Sequence, residues 1–347
     1  MAAGRLRATI LGFAGVAVVF AVLFSVAGVD ALLARLAAAD RPLVALVALV
    51  TLCWLAAWGV SLWVVLDALG VPASVPDALL IFAGAMFANN VTPFGQAGGE
   101  PITALLISRI TDTEYETGLA AIASVDTLNF VPSITIAVVG VGYYVTETAF
   151  GTSQRLELAL AAVVGLAVGV PALGYLAWTR RYRLETRVVG VVTTVARRVA
   201  GRLPRVPTPT AEGIERRIDG FFRAIERVAD HPRRLALALA LSAAGWLFQM
   251  LALWLAFRAI GTPIPLSVAL FVVPIGAIAG VTPLPGGAGG IESVLVVLLV
   301  AAPLAGVTEP VALAAVVVFR GMVYWLPTII GGVVAAVVGF RARAWSV

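Results

Sequence analysis

Long apolar runs, broken by short polar or Gly/Pro-rich stretches, set the pattern of this chain. Runs at 8–29, 42–69, 118–144, 156–178, 235–260 and 311–340 are each near or above the roughly 20 residues that a helix needs to cross a bilayer. The short alternating segments of a membrane β-barrel are missing from the pattern. It predicts an all-α polytopic membrane protein with about six full spans. The stretch 30–41 reads as a polar connection between the first two runs. Ser25-Val26-Ala27 mimics a signal cleavage site, although the first run is long for a signal peptide.

Two regions depart from this pattern in the same way. Residues 77–88 and 101–110 are apolar but short, and they flank a polar break from Asn89 to Pro101 that reads Asn-Asn-Val-Thr-Pro-Phe-Gly-Gln-Ala-Gly-Gly-Glu-Pro. Residues 266–280 and 291–302 flank a second break from Val281 to Glu292, Val-Thr-Pro-Leu-Pro-Gly-Gly-Ala-Gly-Gly-Ile-Glu. Irregular backbone at membrane depth is tolerated only where protein buries it or where it lines a cavity. Each region is therefore expected to form a re-entrant helical hairpin, at about 78–110 and about 266–302.

Composition and charge then set the topology. The chain is 61% hydrophobic and 12% charged, and every basic residue outside its single His is Arg. Residues 180–234 hold fourteen arginines against six acids, which places this segment in the cytoplasm. Within it, Ile214, Ile218, Phe221, Phe222, Ile225 and Val228 repeat at helical spacing opposite Arg216, Arg217, Arg223 and Arg227. That is an amphipathic helix on the inner leaflet or against the bundle, and membrane anchoring explains it better than nucleic-acid binding. The expected organisation is a first membrane repeat at 1–179, the basic segment at 180–234, and a second repeat at 235–347. Both termini then face the cytoplasm of a cell membrane, and the two hairpins enter from opposite sides. Trp63, Asp67, Gly70 and Pro72 match Trp254, Arg258, Gly261 and Pro263 at one constant offset, and Asp126 and Pro132 sit roughly where Arg320 and Pro327 sit. The arrangement expected is an inverted repeat with its site at the repeat interface.

Candidate chemistry concentrates in the breaks and in the buried charges. Asn90, Thr92, Gln96, Gly98, Gly99 and Glu100 in the first copy, and Thr282, Gly286, Gly287, Gly289, Gly290 and Glu292 in the second, are candidate substrate-binding residues. Each Gly-rich run closes a loop and opens a short helix, with Pro101 suited to a first helical turn, and exposed N–H groups at such an end bind anions. Glu100 and Glu292 otherwise cap their own helix starts. Asp126 and Arg320 lie inside spans, where charge is costly and normally functional. Asn129 and Tyr324 share their faces and join the candidate set. Arg320 is expected to hold a lipid phosphate, to neutralise Glu292, or both in exchange. Arg109 is out of phase with Glu100 and points to the headgroups, while Asp67 and Arg258 read as snorkelling near span ends. His231, before Pro232, reads as a helix-start residue, and the lone Cys53 excludes an intramolecular disulfide. Neither a nucleotide-binding Gly-Lys-Ser/Thr nor a His pair for zinc is present. No catalytic residue, metal or cofactor is expected.

The two breaks, with 126–132 and 320–327, resemble the flippase-like membrane family that includes the N-terminal domain of lysylphosphatidylglycerol synthases. Thr282-Pro-Leu-Pro-Gly-Gly with Gly289-Gly290-Ile291-Glu292 is the most specific part of the match. The resemblance covers nearly the whole chain and implies lipid translocation without aminoacyl transfer. Its archaeal members imply a polyisoprenyl-phosphate-linked sugar as one cargo. The partners expected are membrane lipids with an anionic headgroup, together with a soluble synthase or glycosyltransferase. Two alternatives stand beside flipping: an enzyme, or integral enzyme subunit, acting on polyprenyl-linked lipids, and a scaffold whose basic segment recruits a synthase.

Overall fold

The computed structural model describes residues 14–148 and 226–344, apart from 15, 26–27, 93–94, 228–229, 283 and 303. Regular structure within these residues is helical. Its main helices are α1 (Val29–Ala37), α2 (Arg41–Ala68), α3 (Val75–Val91), α4 (Gln96–Thr111), α5 (Tyr115–Thr148), α6 (Pro232–Ala259), α7 (Leu266–Ile278), α8 (Gly290–Ala301) and α9 (Glu309–Ala344). Four of them, α2, α5, α6 and α9, are long and apolar enough to cross a membrane. A fifth span results if Val16–Ser25 and α1, which meet at a bend of 91°, count as one. The expected span at 156–178 and the amphipathic helix at 214–228 lie outside the described residues, save for 226–227.

The stretch 30–41 is mostly helix and not the polar connection its charges suggested. Leu32, Leu33 and Leu36 recur at helical spacing, and Leu32 is buried. Asp30 in the first turn and Arg35 in the last both oppose the helix dipole favourably.

Helices α2 and α6 form the spine. Asp40 caps α2 by accepting the Leu43 N–H at 3.0 Å, with Pro42 in the first turn. Each helix has 28 residues, about 42 Å at about 1.5 Å per residue, which exceeds a bilayer core of about 30 Å. At one end the Asp40 N–H donates to Ala259 O at 2.8 Å, and at the other Arg234 pairs with Asp67 at 2.8 Å. The two helices therefore run antiparallel along their length. Between these ends Trp58 Nε1 donates to Ser242 O at 3.1 Å, and Ser61 Oγ to Ala238 O at 3.3 Å. The Trp58 ring lies edge-on to Trp54 and Trp246 at 5.5 Å each, and to Phe82 at 6.2 Å. Lipid is as apolar as these side chains, so dispersion and interhelical hydrogen bonds hold this cluster more than water exclusion does.

The shorter helices cross over between the halves. Helix α3 packs on α9, and α7 packs on α5, so each lies against a long helix of the other half. Helix α4 completes the first half against α3 and α5, and α8 the second against α7 and α9. The spacing from Arg41 to Val75 equals that from Pro232 to Leu266. Asp126 also follows the start of α5 by the same number of residues as Arg320 follows the start of α9.

The two breaks do not open their helices alike. In the second, α8 starts at Gly290, and Glu292 accepts the Gly289 N–H at 2.6 Å as its cap, as expected. In the first, the helix begins earlier. Gly95 takes φ 53°, ψ −119°, and its carbonyl accepts from the Gly98 and Gly99 N–H groups at 3.1 and 3.0 Å. The first turn is therefore Gln96 onward, and Pro101 lies inside α4 instead of opening it. Lacking an N–H, Pro101 cannot donate to the Ala97 carbonyl one turn before it.

Candidate functional site

The two Gly/Pro breaks meet. A Cβ on Gly95 would lie 3.1 Å from Gly280 O and 3.8 Å from Gly286 Cα. Gly286, at φ 58°, sits against the far side of the contact, where a Cβ would come within 2.6 Å of Tyr324 Cε2 and 3.0 Å of Asn90 Cα. The positive φ and the close backbone both require glycine there.

A reciprocal lock fastens α3 to α9 beside this contact. Asn90 Nδ2 donates to Tyr324 O at 3.1 Å and to Thr328 Oγ1 at 2.7 Å, while the Tyr324 hydroxyl donates to Asn90 O at 2.8 Å. Asn90 is the last-turn residue of α3, where backbone carbonyls lack helical donors, and Tyr324 supplies one. Thr328 was missed in the sequence. Its signal was a hydroxyl one turn after Tyr324 in an apolar span.

The second half of the site holds an ion pair. Arg320 Nε donates to Glu292 Oε1 at 2.7 Å, and the two side chains are 11% and 3% exposed. Glu292 Oε2 takes the Gly289 N–H, so both carboxylate oxygens are engaged. Arg320 Nη2 reaches Gly286 O at 3.4 Å, and the guanidinium carbon lies 5.3 Å from the Tyr324 ring centroid. The remaining guanidinium N–H donors meet no acceptor among the described residues. Arg320 thus does neutralise Glu292, and it keeps donors to spare.

The first half is different in charge. Asp126 on α5 occupies the position that corresponds to Arg320, and its carboxylate faces Gln96 and Glu100 on α4. Asp126 Oδ2 is enclosed without a hydrogen-bond partner, and so are Asn89 Oδ1 and Thr282 Oγ1. Asn89 Oδ1 lies against Gly99, which leaves no room for a side chain there. Asn89 belongs to the first break but was not singled out in the sequence.

Other candidates lie elsewhere. Asn129 is turned to the α5–α6 interface, where its Oδ1 accepts from Ser242 Oγ at 2.5 Å and its carbonyl from Trp246 Nε1 at 2.9 Å. Thr92 spends its hydroxyl on Ala88 O at 2.7 Å and Gly95 O at 3.3 Å. Gly287 backs onto Gly280, Gly290 onto Thr282, and Gly289 onto Val19 of the stretch before α1. Gly98 donates to Gly95 within the first turn. Arg109 is exposed, as expected. Asp67 does not simply snorkel, because Arg234 reaches it from α6, and Arg258 lies over the Trp254 ring at 4.6 Å. His231 precedes the first residue of α6, as expected, with Nδ1 2.8 Å from Arg227 O. No group of three metal-ligating side chains occurs among the described residues.

Apolar helices of spanning length, with two glycine-rich breaks meeting at buried charges, define a multi-pass membrane protein with an internal polar site. The family model "lysylphosphatidylglycerol synthase TM region" matches residues 9–331, and the chain belongs to that family. Among curated proteins, a UPF0104 membrane protein of Methanothermobacter thermautotrophicus is 27% identical over 96% of this chain and 94% of its own length. A second match from that organism is 26% identical over 71% and 70%. A UPF0104 membrane protein of Pyrococcus horikoshii is 24% identical over 73% of this chain and 74% of its own.

Proposed function

We propose that this protein moves a phosphate-bearing lipid from one leaflet to the other. The observation that carries the reading is Arg320, a largely buried guanidinium with donors that no described residue takes, at the point where the two breaks meet. A phosphate monoester or diester offers paired acceptor oxygens that suit such a fork, and a headgroup could share or replace Glu292. Antiparallel α2 and α6, and the crossed packing of α3 on α9 and α7 on α5, support an inverted repeat with hairpins from opposite sides. The family description supports a phospholipid context. A polyisoprenyl-phosphate-linked sugar is the second cargo in the same chemical class. The arginine-rich segment 180–234 supports cytoplasmic termini in a cell membrane and offers a docking surface for a soluble synthase.

The test is transbilayer movement in proteoliposomes holding the full chain and a fluorescent phospholipid, read by quenching of the outer leaflet. Arg320→Ala and Glu292→Gln should each slow movement at least about tenfold, equivalent to about 1.4 kcal/mol in the barrier. Movement at the wild-type rate in Arg320→Ala would sink the phosphate-site reading.

A further inference from the structure

The two halves of the site differ by one charge reversal. Glu292 in the second half is neutralised by Arg320. At the matching position the first half carries Asp126, so Glu100 faces another acid instead of a base. No cation of the protein corrects this among the described residues. Helices α4, α7, α6 and α2 pack on α5. Helix α7 has no ionisable residue. Arg234 of α6 pairs with Asp67 of α2, Arg258 of α6 lies over Trp254, and Arg41, Arg109 and Arg233 are exposed at helix ends. Among the described residues, the polar side chains that face Asp126 are Glu100 and Gln96.

A second observation is independent of the acidic composition. Asp126 Oδ2 is enclosed, yet it has no donor. A buried carboxylate oxygen left without a donor is costly, and a bound proton or small cation would relieve that cost. Gln96, on the first turn of α4, is exposed and gives that charge a way in. We propose that Gln96, Glu100 and Asp126 bind a small cation, sodium or a proton, whose occupancy is linked to movement of the lipid at Arg320. The linkage rests on the transport reading above, and the cation site does not. Gly95, next to Gln96, lies against Gly286, whose carbonyl Arg320 touches, and the proposed linkage would run through this backbone contact.

The direct test needs no lipid substrate. The full chain in detergent is unfolded by heat in sodium chloride and in choline chloride at equal ionic strength and fixed pH, and then across a pH series in choline chloride alone. A ligand that binds the folded state raises the midpoint in a saturable way. A sodium-dependent rise that Asp126→Asn and Glu100→Gln abolish, and that Asp67→Asn keeps, supports the site with sodium as its ion. With no sodium response, a midpoint that falls as pH rises and loses this dependence in Asp126→Asn supports a proton, because the folded state then holds it. Neither response in the wild type, or responses unchanged in both variants, overturns the proposal. Should Asp126→Asn fail to fold, Glu100→Gln and Gln96→Ala carry the same comparison with Asp126 intact. In proteoliposomes the two readings separate. Lipid movement without any cation response removes the cation site alone, whereas a cation response without lipid movement removes the transport reading alone.

Discussion

Tyr324 and Asn90 bind each other twice: the tyrosine hydroxyl donates to Asn90 O at 2.8 Å, and the Asn90 amide donates to Tyr324 O at 3.1 Å. This pair ties the end of α3 to the middle of α9 and frames the contact between the breaks. Tyr324→Phe removes one of the two bonds without changing the ring that packs on Gly286 and Trp325. The expected loss is about 0.5–1.5 kcal/mol, toward the lower end if the unfolded chain finds partners in the membrane. Thermal unfolding in detergent measures it. A midpoint equal to wild type would mean that the lock is not formed.

The Glu292–Arg320 pair should behave as one unit. Removing either partner leaves a buried charge, at a cost of about 3–5 kcal/mol. Replacing both, as Glu292→Gln with Arg320→Gln, leaves neutral amides that can bond to each other and to the Gly289 N–H. The double variant is therefore expected to be more stable than Arg320→Gln alone. Additive losses in this double-mutant cycle would show that the two residues do not support each other.

Gly286 and Gly321 should respond differently to an added methyl. Gly286→Ala adds a methyl at positive φ, 2.6 Å from Tyr324 Cε2 and 3.0 Å from Asn90 Cα, and should destabilise by more than the roughly 1–2 kcal/mol of the backbone alone. Gly321, next to Arg320 within α9, has open space where its Cβ would stand. Gly321→Ala should leave stability unchanged or raise it by about 0.5–1 kcal/mol. Equal losses at both positions would contradict the tight contact at Gly286.

These contrasts show what could be read from the chain and what could not. The two helices of the spine, though not their pairing, were legible because α2 and α6 are continuous apolar runs with Pro42 and Pro232 in their first turns. The two breaks were legible because glycine, proline and acid recur in the same order. The start of α4 was not. It depends on a Gly95 conformation that accepts two N–H groups, and the sequence offered Pro101 as the more obvious helix start. Helix α1 was hidden by its charges, which lie at its ends where the dipole favours them. The lock of Asn90 to Thr328 spans 238 residues, and no periodicity reports a pairing at that range. Asn129 shares a helix with Asp126 but is claimed by Ser242 across α6, which local spacing could not foresee.

Two ion pairs of nearly equal length should differ widely in worth. Arg234–Asp67 closes at 2.8 Å and Arg320–Glu292 at 2.7 Å, yet the first is 39% and 44% exposed and the second 11% and 3%. At the exposed pair, water and salt replace most of what is lost. Arg234→Ala is expected to cost less than about 1 kcal/mol, even with its further bond to Asp67 O, and that cost should shrink as salt rises. Arg320→Ala leaves Glu292 enclosed with no counter-charge, and salt cannot reach it, so its larger cost should persist. Thermal unfolding of both variants at low and high potassium chloride makes the comparison. If Arg234→Ala proved the more damaging, the antiparallel closure of α2 on α6 would depend on that end contact more than on the Trp58 cluster between them.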